Sequence, residues 1–152
     1  MSGRIDIVAR VLRSLTLFPE IARKAVLIIH AEVQEEEHPI TTLIKLDEIR
    51  YGLSEHEAVR EIVRSFHTLR YYIKFCALMH LAMICGYRVV VLCESGPPLT
   101  FVKPPVMLVL GTNVDPPDTH VEVLRASIGP LPYLASHVVE YVSHKLQKSI
   151  SL

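Results

Sequence analysis

Two glycine-containing turns are placed where main-chain groups could bind a flat ligand. The first follows an apolar run, Val106 to Leu110, and begins at Gly111. The second spans Ile128 to Tyr133, contains Gly129 and leads directly into an apolar helical pattern. Glycine lets backbone amides and carbonyls approach a ligand closely, and a helix N-terminus supplies further donors. These turns predict an adenine-type cofactor that is held largely by the backbone.

A third turn of the same kind follows the apolar run Arg88 to Cys93 and reaches Gly96. If the three runs are parallel strands, their carboxyl ends meet at one edge, which is where open α/β sheets bind ligands. A single glycine after a strand is more often an ordinary turn. Three such turns in succession, the last followed by a helix, favour a binding site.

The composition of the chain limits the classes of partner. The 152 residues are 50% hydrophobic and carry 16 basic and 16 acidic side chains. This length predicts one domain over residues 1–152, and the longest apolar runs fall short of the about 20 residues that cross a bilayer, so no membrane contact is expected. Zero net charge neither supports nor excludes RNA, because a polyanion site needs only a local patch. The first residues lack the pattern of a secretory signal, which predicts a cytoplasmic location.

Cysteine and histidine are distributed in a way that does not suggest a metal site. Cys76, Cys85 and Cys93 are odd in number, lie in apolar surroundings and lack zinc-ligand spacing. They are predicted to be reduced core thiols. The histidines also lack such spacing, so no metal is expected.

Periodicity and breakers predict nine elements. Apolar residues at helical spacing indicate a first helix, Ser54 with Glu57 forms a capping box for another, and Gly86 ends a third. The elements are a helix over 5–17, strands over 25–31 and 40–46, helices over 54–66 and 69–84, strands over 88–93, 106–110 and 123–126, and a helix over 132–147. This order predicts an α/β fold with a largely parallel sheet flanked by helices.

Short segments along nearly the whole chain resemble one family. They are Gly3–Arg10, Thr42–Leu46, Leu53–Glu57, Leu92–Gly96, Leu110–Gly111, Ser127–Pro130 and Leu134–Val139. In this order they resemble the archaeal tRNA pseudouridine N1-methyltransferases, members of the SPOUT class and relatives of the ribosomal-RNA pseudouridine methyltransferases. The resemblance implies a SPOUT-like α/β knot fold with a C-terminal trefoil knot.

The resemblance also implies a cofactor and a substrate. S-adenosylmethionine would be bound by backbone groups, and the substrate would be a pseudouridine in RNA, most simply position 54 in the T arm of tRNA. The residues implied at the cofactor are Leu92, Gly111, Ile128, Gly129, Pro130, Leu131, Pro132, Tyr133 and Val138.

Arg4 and Asp6 match the family's catalytic element. Asp6 could accept or orient the proton on N1 of pseudouridine, and Arg4 could hold the base or a phosphate. Attack of N1 on a sulfonium methyl group depends chiefly on alignment, so no covalent enzyme nucleophile is required. In the alternative interpretation, Asp6 only complements the positive end of the first helix and Arg4 is a solvated flank.

Two surfaces are candidates for partners. Arg10, Arg13, Arg23 and Lys24 could form a basic strip for RNA phosphates, although scattered surface cations are an equally good interpretation. The final helix carries an apolar stripe that fits a homodimer seam or, equally, ordinary core. The stripe comprises Leu134, Val138, Val139, Val142 and Leu146.

The chain departs from the family pattern at several places. Relatives carry a strand before the Gly3-Arg4 element, and Thr112-Asn113 replaces their Asp-His pair. The alternatives are therefore a non-catalytic SPOUT-fold RNA-binding or assembly protein, or a ribosomal-RNA pseudouridine methyltransferase. A generic nucleotide-binding domain is a weaker alternative, since no glycine-rich phosphate loop is present.

Overall fold

The computed structural model describes residues 5–31, 37–92, 105–111, 124–126 and 135–150. These residues divide into two compact units: unit 1 comprises Met1–Tyr72 and Leu134–Leu152, and unit 2 comprises Ile73–Tyr133. The elements are α1 (Ile5–Thr16), α2 (Pro19–Ala22), β1 (Val26–Ala31), β2 (Ile40–Lys45), a 3-10 turn (Leu46–Glu48), α3 (Glu55–Thr68), α4 (Phe75–Ile84), β3 (Arg88–Leu92), β4 (Val106–Val109), β5 (Leu124–Ala126) and α5 (Ala135–Ile150).

The first helix of unit 1 forms where the apolar spacing predicts it. Ala9 and Leu12 are fully buried on one face of α1, while Arg10 and Arg13 are exposed on the other. Thr16 closes the helix by donating its hydroxyl to the Arg13 carbonyl at 2.7 Å. The short helix α2, which the sequence analysis missed, then begins at Pro19, a residue suited to the first helical position.

The capping box at the start of α3 is confirmed. The Glu57 amide donates to Ser54 Oγ at 3.1 Å, and the Ser54 amide donates to Glu57 Oε1 at 3.2 Å. The pKa of the Glu57 carboxyl is lowered below its ordinary value by hydrogen bonding, first from the Ser54 amide and then from the Ser54 side chain, with a smaller contribution from the charge of Arg50. The helix runs two residues beyond the predicted end at Phe66.

In unit 1, β1 and β2 form an antiparallel pair in which Val26 lies opposite Lys45 and Ala31 lies opposite Ile40. One face of this sheet packs on α1 and α3. The core cluster comprises Ala9, Leu12, Ile29, Ile44, Leu46, Leu53, Ala58 and Ile62. The other face carries Val26 and Ile28, both exposed.

One buried polar contact joins the sheet of unit 1 to α3. Thr42 is fully buried and its hydroxyl lies 2.6 Å from Ser65 Oγ and 3.1 Å from the Ser65 carbonyl. Ser65 Oγ in turn donates to the Leu43 carbonyl at 3.0 Å. Because each hydroxyl has a partner, burial leaves neither of them unsatisfied.

The helix predicted over 69–84 begins later than expected. Leu69 ends α3 in an extended conformation, and Tyr71 then pairs with Thr41 through two main-chain hydrogen bonds of 2.8 Å. The pairing uses the free side of β2, and α4 starts only at Phe75. The end of α4 is as predicted, because Gly86 follows it with φ of +90°, a conformation that favours glycine.

Unit 2 is built on three parallel strands in the order β4-β3-β5. The helix α4 packs on one face of β3 and β4 around Met79. The central strand is buried from Val89 to Leu92, as expected for a parallel strand that is covered on both faces.

The predicted fold class, a SPOUT-like largely parallel sheet flanked by helices with a C-terminal knot, is wrong. The described residues form two small sheets, one of which is antiparallel. The physical reason is the short connection between β1 and β2, residues 32–39, since antiparallel strands need only a hairpin whereas parallel strands need a long crossover. The single domain over residues 1–152 stays a prediction.

Candidate functional site

The carboxyl edge of the unit 2 sheet brings together the ends of the strands that precede the three predicted turns. Val91 lies opposite Val109, so Leu92 and Leu110 leave their strands side by side. Gly111 is the second residue beyond the last paired position of β4 and is half-buried. On the other side of β3, Leu92 lies opposite Ala126, the last residue of β5. The three strand ends therefore share one edge.

This edge combines an apolar side chain with main chain that continues past the ladder. Leu92 is 8% exposed and supplies apolar surface, while Leu110 and Gly111 extend beyond the register shared by β3 and β4. Apolar walls with a few convergent backbone groups are typical of small-molecule sites. The described part of the edge thus combines a buried leucine with the main chain of Leu110 and Gly111.

Most of the third predicted turn lies outside the described residues. It comprises Ile128, Gly129, Pro130, Leu131, Pro132 and Tyr133. Val138 belongs to the first turns of α5 by its main chain. Of the nine predicted cofactor residues, the structure places Leu92 and Gly111 at a common edge.

The predicted catalytic residues belong to the start of unit 1. Asp6 lies in the first turn of α1 and is half-buried, and Arg4 lies outside the described residues. A carboxylate in a first helical turn is stabilised by the helix dipole. This position is compatible with both interpretations of Asp6, a proton acceptor or a helix-terminal charge.

Three members of the predicted basic strip are engaged within unit 1. Arg13 donates from Nε to the Leu53 carbonyl at 3.1 Å and so fixes the segment before α3. Arg10 lies 4.0 Å from Glu55, and Arg23 lies 3.5 Å from Glu20. Both ion pairs are exposed and contribute little. The basic strip stays a prediction.

A second basic surface, which the sequence analysis did not single out, lies on α3 and the segment that follows it. Arg60, Arg64 and His67 are exposed and follow a helical spacing of four and three. After them, Tyr71 and Tyr72 are 49% and 59% exposed. The sequence signal was available, because residues 62–88 contain no aspartate or glutamate.

The described part of the apolar stripe on α5 is core of unit 1. Val139, Val142 and Ser143 are buried where α5 packs on α1. Ser14 of α1 donates its hydroxyl to Glu140 Oε1 at 3.0 Å and links the same two helices. These residues are therefore covered within one chain.

The cysteines, the histidines and the helices of the described residues add three findings. Cys76 and Cys85 are free thiols, but Cys85 is exposed, so the prediction that it lies in the core is wrong. Within the described ranges, no group of three or more His, Cys, Asp or Glu side chains could hold a metal ion. None of the helices described is both long and apolar enough to cross a bilayer.

No family model and no curated sequence matches the chain significantly. The likeness to the pseudouridine methyltransferases thus depends on the short segments given above, and the function is inferred from those residues and from the edge of the unit 2 sheet.

Proposed function

We propose that the protein is an S-adenosylmethionine-dependent RNA methyltransferase that acts on N1 of a pseudouridine, most simply position 54 in the T arm of tRNA. The observation that carries the proposal is the shared carboxyl edge of β3, β4 and β5. Leu92 and Gly111, two residues that the family resemblance assigns to the cofactor, lie at this edge although 19 positions separate their numbers in the chain.

The residues at this edge fit the adenosine part of such a cofactor. Leu92 gives apolar contact to a ring, and the main chain at Leu110 and Gly111 can donate and accept hydrogen bonds without a side chain in the way. S-adenosylmethionine supplies an activated methyl group. The protein therefore has only to bind the two reactants, align them and accept one proton.

Asp6 is the proposed acceptor for the N1 proton. A positioned carboxylate within hydrogen-bond reach of an imide N–H can accept or orient its proton. Arg4 keeps the role that the resemblance gives it, holding the base or a phosphate. The cytoplasmic location and the homodimer also stay predictions.

Calorimetry with S-adenosylmethionine and its demethylated product tests the cofactor site. Folded protein is expected to bind both, and Gly111→Ala is expected to weaken binding by about tenfold because the added methyl group separates backbone and ligand. Ile84→Ala, at an 80% exposed position in the same unit, is the control and is expected to leave cofactor affinity unchanged. No binding heat with folded wild-type protein would contradict the proposal.

Methyl transfer to tRNA tests the reaction. Radiolabelled methyl groups are expected to enter a tRNA with pseudouridine at position 54 and not a transcript with uridine there, because only pseudouridine offers N1 as an N–H. Asp6→Asn is expected to lower kcat by about 100-fold while leaving cofactor affinity unchanged. Equal kcat in Asp6→Asn and wild type would remove Asp6 from the chemistry.

A second candidate function is a non-catalytic RNA-binding protein. It is favoured by Thr112-Asn113, which stands where the family has Asp-His, and by a fold that departs from the expected one. This candidate predicts tRNA binding without methyl transfer, and RNA affinity that does not change in Gly111→Ala.

A further inference from the structure

Acidic residues are absent from the stretch of chain that begins in the last part of α3. Residues 62–88 contain four lysines and arginines and no acidic residue, and two of the four, Arg64 and Arg70, belong to unit 1. In unit 1 this stretch covers the last part of α3 and the extended segment that ends at Tyr72. A local excess of this kind attracts polyanions even when the net charge is zero.

The cations of α3 remain available to solvent. Arg64 lies 3.9 Å from Glu61, but its side chain is 73% exposed, and an exposed ion pair of this type contributes little. Arg60 donates to His56 Nε2 at 3.0 Å and its charge helps to lower the pKa of Glu57, but its side chain is exposed to solvent. His67 continues the same helical face toward the end of α3.

Tyr71, the first of the two tyrosines that follow, has a main chain that is fixed by the sheet. Tyr71 exchanges two hydrogen bonds of 2.8 Å with Thr41, which is itself paired with His30 in the sheet. The rings are nevertheless about half exposed, at 49% for Tyr71 and 59% for Tyr72. An aromatic ring presented from an anchored backbone costs little entropy to immobilise when a ligand stacks on it.

We propose that this surface, formed by Arg60, Arg64, His67, Tyr71 and Tyr72, binds single-stranded RNA. The tyrosines stack on unpaired bases and the cations contact the phosphates between them. The two rings belong to successive residues, and each takes a different base. This proposal rests on the proposed function only in that RNA is the substrate class. The unpaired part of that RNA would bind at this surface.

The chemistry favours single strands over duplexes. Stacking needs a base whose face is free, which loops and single strands offer and A-form helices do not. Phosphate contacts alone would suit either form. The rings therefore determine the preference, and the cations determine the salt dependence.

Fluorescence anisotropy with a labelled oligoadenylate of about 12 nucleotides tests the surface. Tyr72→Ala and Tyr71→Ala are each expected to weaken binding by about tenfold, while Tyr72→Phe keeps wild-type affinity because the ring is retained. Tyr51→Ala is the matched control, since Tyr51 is 63% exposed in the same unit and is expected to leave affinity unchanged. An RNA duplex of equal length is expected to bind more weakly than the single strand.

A matched pair of arginine variants tests the contribution of charge to RNA binding. Arg64 and Arg23 are exposed to similar extents, 73% and 70%, and each pairs with a glutamate three residues earlier. Arg64→Gln is expected to reduce the slope of log affinity against log salt by about 0.7, and Arg23→Gln to leave it unchanged. Equal effects of the two variants would overturn the assignment to α3.

Methyl transfer separates this inference from the proposed function. If the protein binds the oligonucleotide through the tyrosines but transfers no methyl group, the surface stands and the enzymatic proposal fails. If folded Tyr71→Ala and Tyr72→Ala both bind RNA as the wild type does, the surface is overturned, whatever the enzyme assay shows. Circular dichroism of each variant establishes that it is folded.

Discussion

The strands of unit 1 and those of unit 2 are buried in different ways. In β1, Ile29 is buried while its neighbour Ile28 is exposed, as is usual for an antiparallel strand with one solvated face. In β3, Val89, Val90, Val91 and Leu92 are all buried in succession. A strand with a free face can present side chains to a partner along its length, whereas a strand covered on both faces offers ligands only its ends.

This difference assigns different kinds of site to the two units. Unit 2 has its candidate site at the carboxyl ends of strands, where Leu92 and Gly111 lie. Unit 1 has its candidate site on a surface, where Tyr71 and Tyr72 are exposed beside the end of α3. Substitutions in the core of each unit can therefore test the stability of that unit separately.

The largest effect is expected from the core of unit 1. Leu12→Ala removes a fully buried side chain from the cluster between α1, α3 and the sheet, and is expected to lower the free energy of unfolding by about 4 kcal/mol. Urea denaturation measures it. Leu17→Ala, at a position that is 50% exposed, is the control and is expected to change stability by less than about 0.5 kcal/mol.

The core cluster formed by the described residues of unit 2 is smaller than that of unit 1, and its equivalent variant is expected to cost less. Met79→Ala removes the contact of α4 with Val89 and Val91 and is expected to lower the free energy of unfolding by about 3 kcal/mol, within the range found for truncating a buried methionine. Ile84→Ala, at an 80% exposed position, is the control. A larger loss in Met79→Ala than in Leu12→Ala would reverse the ranking of the two cores.

Exchanging valine and threonine tests the polar difference between the sheets. Val90→Thr places a hydroxyl in the apolar strand β3, and Thr42→Val removes a hydroxyl that Ser65 uses. Each is expected to destabilise by about 1 to 3 kcal/mol, the first through an unsatisfied group and the second through lost hydrogen bonds. Thermal unfolding measures both, and Thr68→Val, with its exposed hydroxyl, is the control.

The smallest effect is expected at the start of α3, which has a capping box that α4 lacks. Ser54→Ala is expected to cost about 1 kcal/mol at neutral pH. Lys74→Ala, at the start of α4, removes no side-chain cap and is the control.

The same variant has a pH dependence whose sign follows from Glu57. Because its pKa is lowered on folding, the stabilisation from this carboxylate is present above its unfolded pKa and is lost as the pH falls through the folded value. The difference between Ser54→Ala and wild type is therefore expected to shrink in acid. NMR titration should show the pKa of Glu57 rising in Ser54→Ala, and no rise would contradict the capping explanation.

The local elements of this fold could be predicted from the sequence. Periodicity located α1, the capping box located α3, and Gly86 located the end of α4. In each case the signal and the structure involve residues that are close in the chain. The three strands of unit 2 were likewise found from their apolar runs, and their parallel pairing is confirmed.

Long-range pairing could not be predicted in the same way. Residues 69–73 fit a helical pattern, but Tyr71 forms main-chain hydrogen bonds with Thr41 of β2, a pairing that no local pattern reveals. The predicted fold class was wrong because it was based on the order of helices and strands and did not consider the length of the connection between β1 and β2. In the site, Leu92 and Gly111 were predicted from turn chemistry, whereas the pairing of Arg10 and Arg23 with carboxylates depends on the folded chain.

The packing of α5 on α1 has a consequence for biosynthesis. Unit 1 is assembled from the first and last parts of the chain. Ser14 is hydrogen-bonded to Glu140, although the whole of unit 2 lies between these two residues in the sequence. On the ribosome, the face of α1 that receives α5 must stay uncovered for roughly ten seconds while the intervening residues are translated. During that interval the nascent chain exposes a surface that chaperones bind, so deletion of the last helix should leave a product that aggregates or is degraded in the cell.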